Sequence, residues 1–176
     1  MMWRVPGRMA EAATSRWLLA IGLSWSVGLA QAAGDPYGWH YSPSRLITPA
    51  NVDQLVLAWT HRNGDMAASI GQPSSVSAQS TPILLPAAAG EHLVYCTPFN
   101  RVIALDPATG AERWSYDPGV PRTSERPYRC RGVAYAEVAQ VDAHDACRHR
   151  IYTATNDRRL IALDARDGKP CAGFGN

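Results

Sequence analysis

Four cysteines, Cys96, Cys130, Cys147 and Cys171, are the first residues to ask about chemistry. No two stand in a C-x-x-C spacing, so they do not read as a zinc centre. The five histidines show no metal-ligand spacing either. His144 and His149 lie in and beside a charged connector, VDAHDAC, and read with Asp142 and Asp145 as solvated residues. No nucleophile elbow, P-loop or G-x-G-x-x-G is present. Asp106 and Asp164 recur at matching places in a repeated stretch, which makes them turn-capping residues rather than catalytic acids. An even number of cysteines in an oxidising compartment predicts two disulfides, with three pairings open.

The compartment is read from the start of the chain. Arg4, Arg8 and Arg16 form a basic leader, followed by the apolar run WLLAIGLSWSVGLA and the small-x-small site Ala30-Gln31-Ala32. This pattern predicts a secretory signal peptide over residues 1–32. The run is shorter than the roughly 20 residues that a spanning helix needs, which weighs against an uncleaved anchor. The leader carries three Arg and one Glu, and the remaining chain is balanced at 14 basic and 14 acidic residues. A neutral mature chain gives no footprint for nucleic acid.

The rest of the chain reads as all-β. Residues 33–54 carry Pro36, Pro43 and Pro49 and form an irregular lead-in. Strand candidates follow: LVLAWTHR (55–62), TPILLPA (81–87), EHLVYCTP (91–98), RVIALD (101–106), ERWSYD (112–117), CRGVAYAEV (130–138), RIYTAT (150–155) and LIALDA (160–165). NGDMAASIGQPSSVSAQS and PGVPRTSERPYRC read as long loops, and DGKPCAGFGN as terminal coil. Two of the hairpins resemble each other. RVIALDPATGAERW is followed by the weaker copy RLIALDARDGKPCA, with Asp106 and Asp164 58 residues apart. In each copy a glycine, Gly110 or Gly168, supplies the positive φ that the turn requires. A repeat of roughly 40–50 residues with four strands marks a β-propeller blade, and loop insertions lengthen it here.

The motif A-x-D-x-x-T-G-x-x-x-W, met by Ala104, Asp106, Thr109, Gly110 and Trp114, resembles the tryptophan-docking repeat of the quinoprotein alcohol and glucose dehydrogenases. The second copy keeps Ala162, Asp164 and Gly168, with Asp167 for the Thr and Ala172 for the Trp. Tyr41-Ser42-Pro43, Asn51-Val52 and LAWTHRNGD resemble that family's entry segment. YCTPFNRVIALD, CRGVAY and RLIALDARDGKPCAGFGN are similar to the membrane-type, PQQ-dependent glucose branch. The resemblance implies an eight-bladed propeller around PQQ, in which the Trp packs between neighbouring blades. Residues 55–176 would supply about two blades, a partial propeller. That leaves sheet faces for other blades to cover, so a fragment or the product of an interrupted gene is expected.

The same resemblance supplies candidate site residues. PQQ is a flat tricarboxylate quinone and calls for cationic forks and flat apolar surfaces. Arg131 of CRGVAY occupies the place of the family's cofactor-contacting Arg-Gly pair, and Gly132 would allow close backbone approach. Gln79 of QSTPILL takes the place of a Glu that approaches PQQ, losing the charge but keeping an acceptor and gaining donors. Thr155 of TATND matches a cofactor-proximal Thr. The adjacent-cysteine disulfide of the related methanol enzymes is absent, because Cys130 has Arg129 and Arg131 as neighbours. Cys147 and Cys171 flank one hairpin and are expected to pair, which leaves Cys96 with Cys130.

Further implications have no residues here. The family's catalytic Asp, its Ca²⁺ ligands and a Lys near the quinone lie further along the chain. The resemblance implies a sugar or alcohol substrate, a membrane quinone as acceptor, the remaining blades as partners, and a periplasmic location with possible inner-membrane association. The chain alone is expected to be inactive. A non-catalytic periplasmic propeller that binds proteins is the alternative, and the CRGVAY stretch and the cysteine set weigh against it.

Overall fold

The computed structural model describes residues 2–4, 44–65, 75–122, 127–142 and 144–175. Most of the expected signal peptide, and the lead-in as far as residue 43, lie outside the described residues. The chain divides into two units, Met1–Ala58 and Trp59–Asn176. β1 (Met2–Arg4) pairs with β2 (Val56–Trp59), whose last residue opens the second unit, in a two-stranded sheet. Among the described residues no helix is long and apolar enough to cross a membrane.

The second unit holds the repeat. β4 (Ile83–Leu84), β5 (Leu93–Cys96), β6 (Val102–Leu105) and β7 (Glu112–Tyr116) form a four-stranded antiparallel sheet in chain order. All four residues of β6, Val-Ile-Ala-Leu, are buried, as befits a strand covered on both faces. β9 (Ala134–Glu137), β10 (His149–Ala154) and β11 (Leu160–Asp164) form a three-stranded antiparallel sheet with β10 in the middle. His149, Ile151 and Thr153 are buried on one face of β10, while Arg150 and Tyr152 on the other are only partly covered.

The two sheets are copies. In the first, Leu105 pairs with Glu112; 58 residues later Leu163 forms an isolated bridge with Pro170. The segment read as terminal coil therefore starts the same fourth-strand pairing. The copies pack face to face: Val94, Val102, Ala104 and Trp114 of one join Ile151, Leu163 and Ala165 of the other in a single apolar cluster. Each Val, Ile or Leu among them contributes about 1.5–3 kcal/mol by leaving water. Among the described residues the sheets do not close into a ring, which is the arrangement of a partial β-propeller.

A tryptophan fastens each repeat turn. Trp114 Nε1 donates to the Ala165 carbonyl at 3.2 Å, and Trp59 Nε1 donates to the Pro107 carbonyl at 3.1 Å. Gly110 (φ +73°) lies under the Trp59 ring and Gly168 (φ +74°) under the Trp114 ring. A Cβ at either glycine would fall 2.5 Å from ring carbon. Asp106 Oδ1 accepts the Ala108 and Thr109 amides at 2.9 and 2.8 Å, and Asp164 Oδ1 accepts the Arg166 amide at 2.8 Å. The aspartates are turn caps.

Three expectations need correction. The two long loops hold strands, β3 (Val76–Ala78) and β8 (Tyr128–Cys130), which form a parallel pair. The TPILLPA stretch forms only the two residues of β4 before a 3-10 turn at Ala87–Ala89. His149 is not solvated: it is 5% exposed and its Nδ1 lies 2.8 Å from Tyr135 Oη.

Candidate cofactor site

The site begins at the ends of the two short parallel strands. Val76, Ser77 and Ala78 pair with Tyr128, Arg129 and Cys130 in register. Gln79 and Arg131 follow directly, so they leave the ladder side by side. The Thr81 amide donates to the Arg131 carbonyl at 3.3 Å and continues the link beyond the strands. The Arg131 side chain is exposed, and its guanidinium has no partner among the described residues. Gln79 Nε2 donates to Ser77 Oγ at 3.3 Å, which leaves its carbonyl oxygen unpaired among the described residues. A Cβ on Gly132 would meet the Thr81 carbonyl oxygen at 3.9 Å, an ordinary contact. Its neighbours here do not require glycine.

The strand registers place Thr155 at the same end. β9 enters at Ala134 opposite Tyr152, and Arg131 precedes that entry by three residues. Thr155 follows Ala154, the last residue of β10. Its hydroxyl is hydrogen-bonded to the Asp157 carboxylate and accepts the Arg159 amide at 3.2 Å. It closes the β10–β11 hairpin, so this donor is already used.

Two disulfides brace the unit: Cys96–Cys130 and Cys147–Cys171. The first joins the end of β5 to the end of β8, one residue before Arg131. The Cys96 amide also donates to Ser80 Oγ at 3.2 Å, one residue after Gln79.

The β5–β6 turn completes this end with residues that sequence reasoning treated only as a connection. Phe99 is 6% exposed, meets Tyr128 edge-on at 5.0 Å, and carries the Arg122 guanidinium 4.1 Å above its ring. The Phe99 amide donates to Asp65 Oδ2 at 3.1 Å, and Asp65 is paired with Arg101. Asn100 adopts φ +63°, a conformation that Asn tolerates better than most residues. Its Oδ1 accepts the Asn156 amide at 2.9 Å and ties this turn to the β10–β11 turn of the next sheet. Its Nδ2, with the Thr97 and Thr153 hydroxyls, is buried without a hydrogen-bond partner among the described residues. An Asn in a tight turn, where it tolerates positive φ, was the one local signal here.

Charge at this end is cationic. Arg101 and Arg159 are neutralised by Asp65 and Asp157, whereas Arg131 is not paired among the described residues. At the other end, Arg113 and then Thr109 hold the Asp106 carboxyl down to about 2. Burial pushes the Asp164 carboxyl up, but the Cys147 and Arg166 amides and the Arg166 side chain outweigh it and lower it. An open cleft of about 480 Å³ lies there too, lined by Gly90, Glu91, His92, Asp106, Pro107, Ala108 and Arg113. It contains none of the candidate residues.

An exposed arginine with no partner among the described residues, leaving the ladder beside a glutamine whose amide oxygen is unpaired among them, suits the carboxylate-bearing edge of a flat anionic quinone. Comparisons with known proteins identify the family. Residues 30–176 match the family described as PQQ glucose/ethanol/alcohol dehydrogenase, beta-propeller domain. The chain is 39% identical over 145 residues to a quinoprotein glucose dehydrogenase of Escherichia coli, covering 79% of this chain and 18% of that one. It is 38% identical over 141 residues to a glycerol dehydrogenase large subunit of Gluconobacter oxydans, covering 77% and 18%. It is 33% identical over 150 residues to quinoprotein glucose dehydrogenase A of Acinetobacter calcoaceticus, covering 78% and 18%. The chain thus spans about a fifth of the length of these relatives. With the family matched over most of its length and the repeat folded as blades, the chain belongs to the PQQ-dependent dehydrogenase β-propeller family.

Proposed function

We propose that this chain forms early blades of an exported, glucose-type PQQ dehydrogenase that oxidises a sugar or alcohol and passes the electrons to a membrane quinone. The observation that carries this reading is the emergence of Gln79 and Arg131 side by side from the β3–β8 ladder. When bound, PQQ supplies a quinone that takes up two electrons from the substrate. Arg131 would hold a cofactor carboxylate with its planar fork. Gln79 would bond a quinone or carboxylate oxygen through its amide. Thr155 would act through the hairpin it closes.

Export to the periplasm is supported by the basic leader, its apolar run and the Ala30-Gln31-Ala32 site. Two disulfides suit that compartment. In this reading the substrate base and a Ca²⁺ that polarises the quinone belong to blades supplied outside residues 1–176. Residues 33–176 alone would then be inactive.

The test is PQQ-dependent dye reduction by the full-length gene product, with a panel of aldoses and simple alcohols. Turnover that requires PQQ, and none by purified residues 33–176, is the expected result. Turnover by residues 33–176 alone would overturn the assignment of the base to other blades. A full-length protein that binds no PQQ would overturn the enzyme reading in favour of a protein-binding propeller.

A further inference from the structure

Cys96 sits where both proposed cofactor residues are anchored. Its sulfur is bonded to Cys130, the residue before Arg131. Its amide donates to Ser80 Oγ, in the residue after Gln79. β3 and β8 pair over only three residues, and so short a parallel ladder holds its register weakly. Cys96 itself is 2% exposed and pairs with Val102 of β6, the strand whose four residues are all buried.

We infer that the Cys96–Cys130 disulfide is a positioning element of the cofactor site, holding the Arg131 guanidinium and the Gln79 amide side by side at the blade end. This rests on the reading of Arg131 and Gln79 as cofactor residues. The disulfide touches no cofactor itself and acts through the two backbones it ties to β5. Cys147–Cys171 provides the contrast. It spans 24 residues within the second sheet's hairpin region and reaches neither Gln79 nor Arg131.

The experiment uses the full-length protein, freed of cofactor and titrated with PQQ in Ca²⁺ buffer. Fluorescence quenching gives the dissociation constant. C96S/C130S is expected to weaken PQQ binding about tenfold or more, as misplaced contact groups do. C147S/C171S, an equal loss of one disulfide, should change it by less than about twofold. In a Gln79→Ala/Arg131→Ala background, C96S/C130S should add less than about twofold, because both routes end at the same groups. Amide exchange in the cofactor-free protein gives a readout independent of binding. Peptides covering 75–82 and 127–133 should exchange faster in C96S/C130S and not in C147S/C171S. If C96S/C130S does not fold, Ser80→Ala cuts the Gln79 arm alone. Its smaller loss of PQQ affinity should vanish in a Gln79→Ala background.

Unchanged PQQ affinity and exchange in C96S/C130S would overturn the inference. So would an undiminished loss in the Gln79→Ala/Arg131→Ala background. If Gln79→Ala/Arg131→Ala binds PQQ like the native protein, the cofactor reading fails first, and the inference fails with it.

Discussion

The Trp114 ring lies directly on Gly168, so close that a single Cβ there would stand 2.5 Å from Cε3. The contact joins the last strand of one sheet to the repeat turn of the next, and Trp59 makes the same contact with Gly110. Each docking pairs a burial term with a hydrogen bond from the indole nitrogen.

Gly168→Ala is expected to destabilise the protein by about 2 kcal/mol or more. The left-handed backbone alone costs an L-residue roughly 1–2 kcal/mol, and displacing the indole adds to it. A urea midpoint unchanged from the native one would contradict this.

Trp114→Phe keeps an aromatic ring but loses the bond to Ala165. The expected loss is about 1–3 kcal/mol, the range for leaving a buried carbonyl unpaired. Equal urea midpoints for Trp114→Phe and the native protein would show that the bond contributes nothing.

Asp106 makes stability depend on pH. Its carboxyl, held at about 2 by Arg113 and Thr109, lies below its ordinary value of 3.8. A depressed carboxylate stabilises the fold above its unfolded value, and that stabilisation is lost as pH falls through the folded one. Asp106→Asn should therefore flatten the stability profile between about pH 4 and 2. The check is the urea midpoint measured against pH for both proteins, and parallel profiles would refute the assignment.

The Cys147–Cys171 bond closes a loop with a sequence separation of 24. Its removal should destabilise the protein by about 3 kcal/mol, from the loop entropy restored to the unfolded chain. Comparing C147S/C171S with the native protein in urea tests this.

Legibility in the sequence followed the range of the interaction. β5, β6, β7, β10 and β11 were visible because alternation and turn residues act locally. β3 and β8 were not. Each is three residues long and is defined only by a partner 52 positions away, as Val76 is by Tyr128. TPILLPA promised a full strand, but after the Leu85 amide bonds the His92 carbonyl Pro86 turns the chain into a 3-10 turn. His149 was misread because Arg148 and Arg150 flank it. His149 opens β10, and strand alternation sends the Arg150 side chain to the other face. Trp114 was legible from its motif; Trp59 lacked the motif, although its position 55 residues earlier was a usable sign. At the candidate site, Gln79, Arg131 and Thr155 came from resemblance alone. What brings Gln79 and Arg131 together is the parallel ladder, which no local pattern announces. Phe99 and Asn100 were passed over because a turn's sequence does not say which neighbouring turn it touches.

Arg131 is proposed to face PQQ, and the PQQ dissociation constant of full-length Arg131→Ala measures this most directly. Loss of a charge-assisted contact should weaken binding by about 1.5–3 kcal/mol, with Arg131→Lys recovering only part because it lacks the planar fork. An Arg131→Ala protein that folds normally and binds PQQ as tightly as the native one would contradict the account.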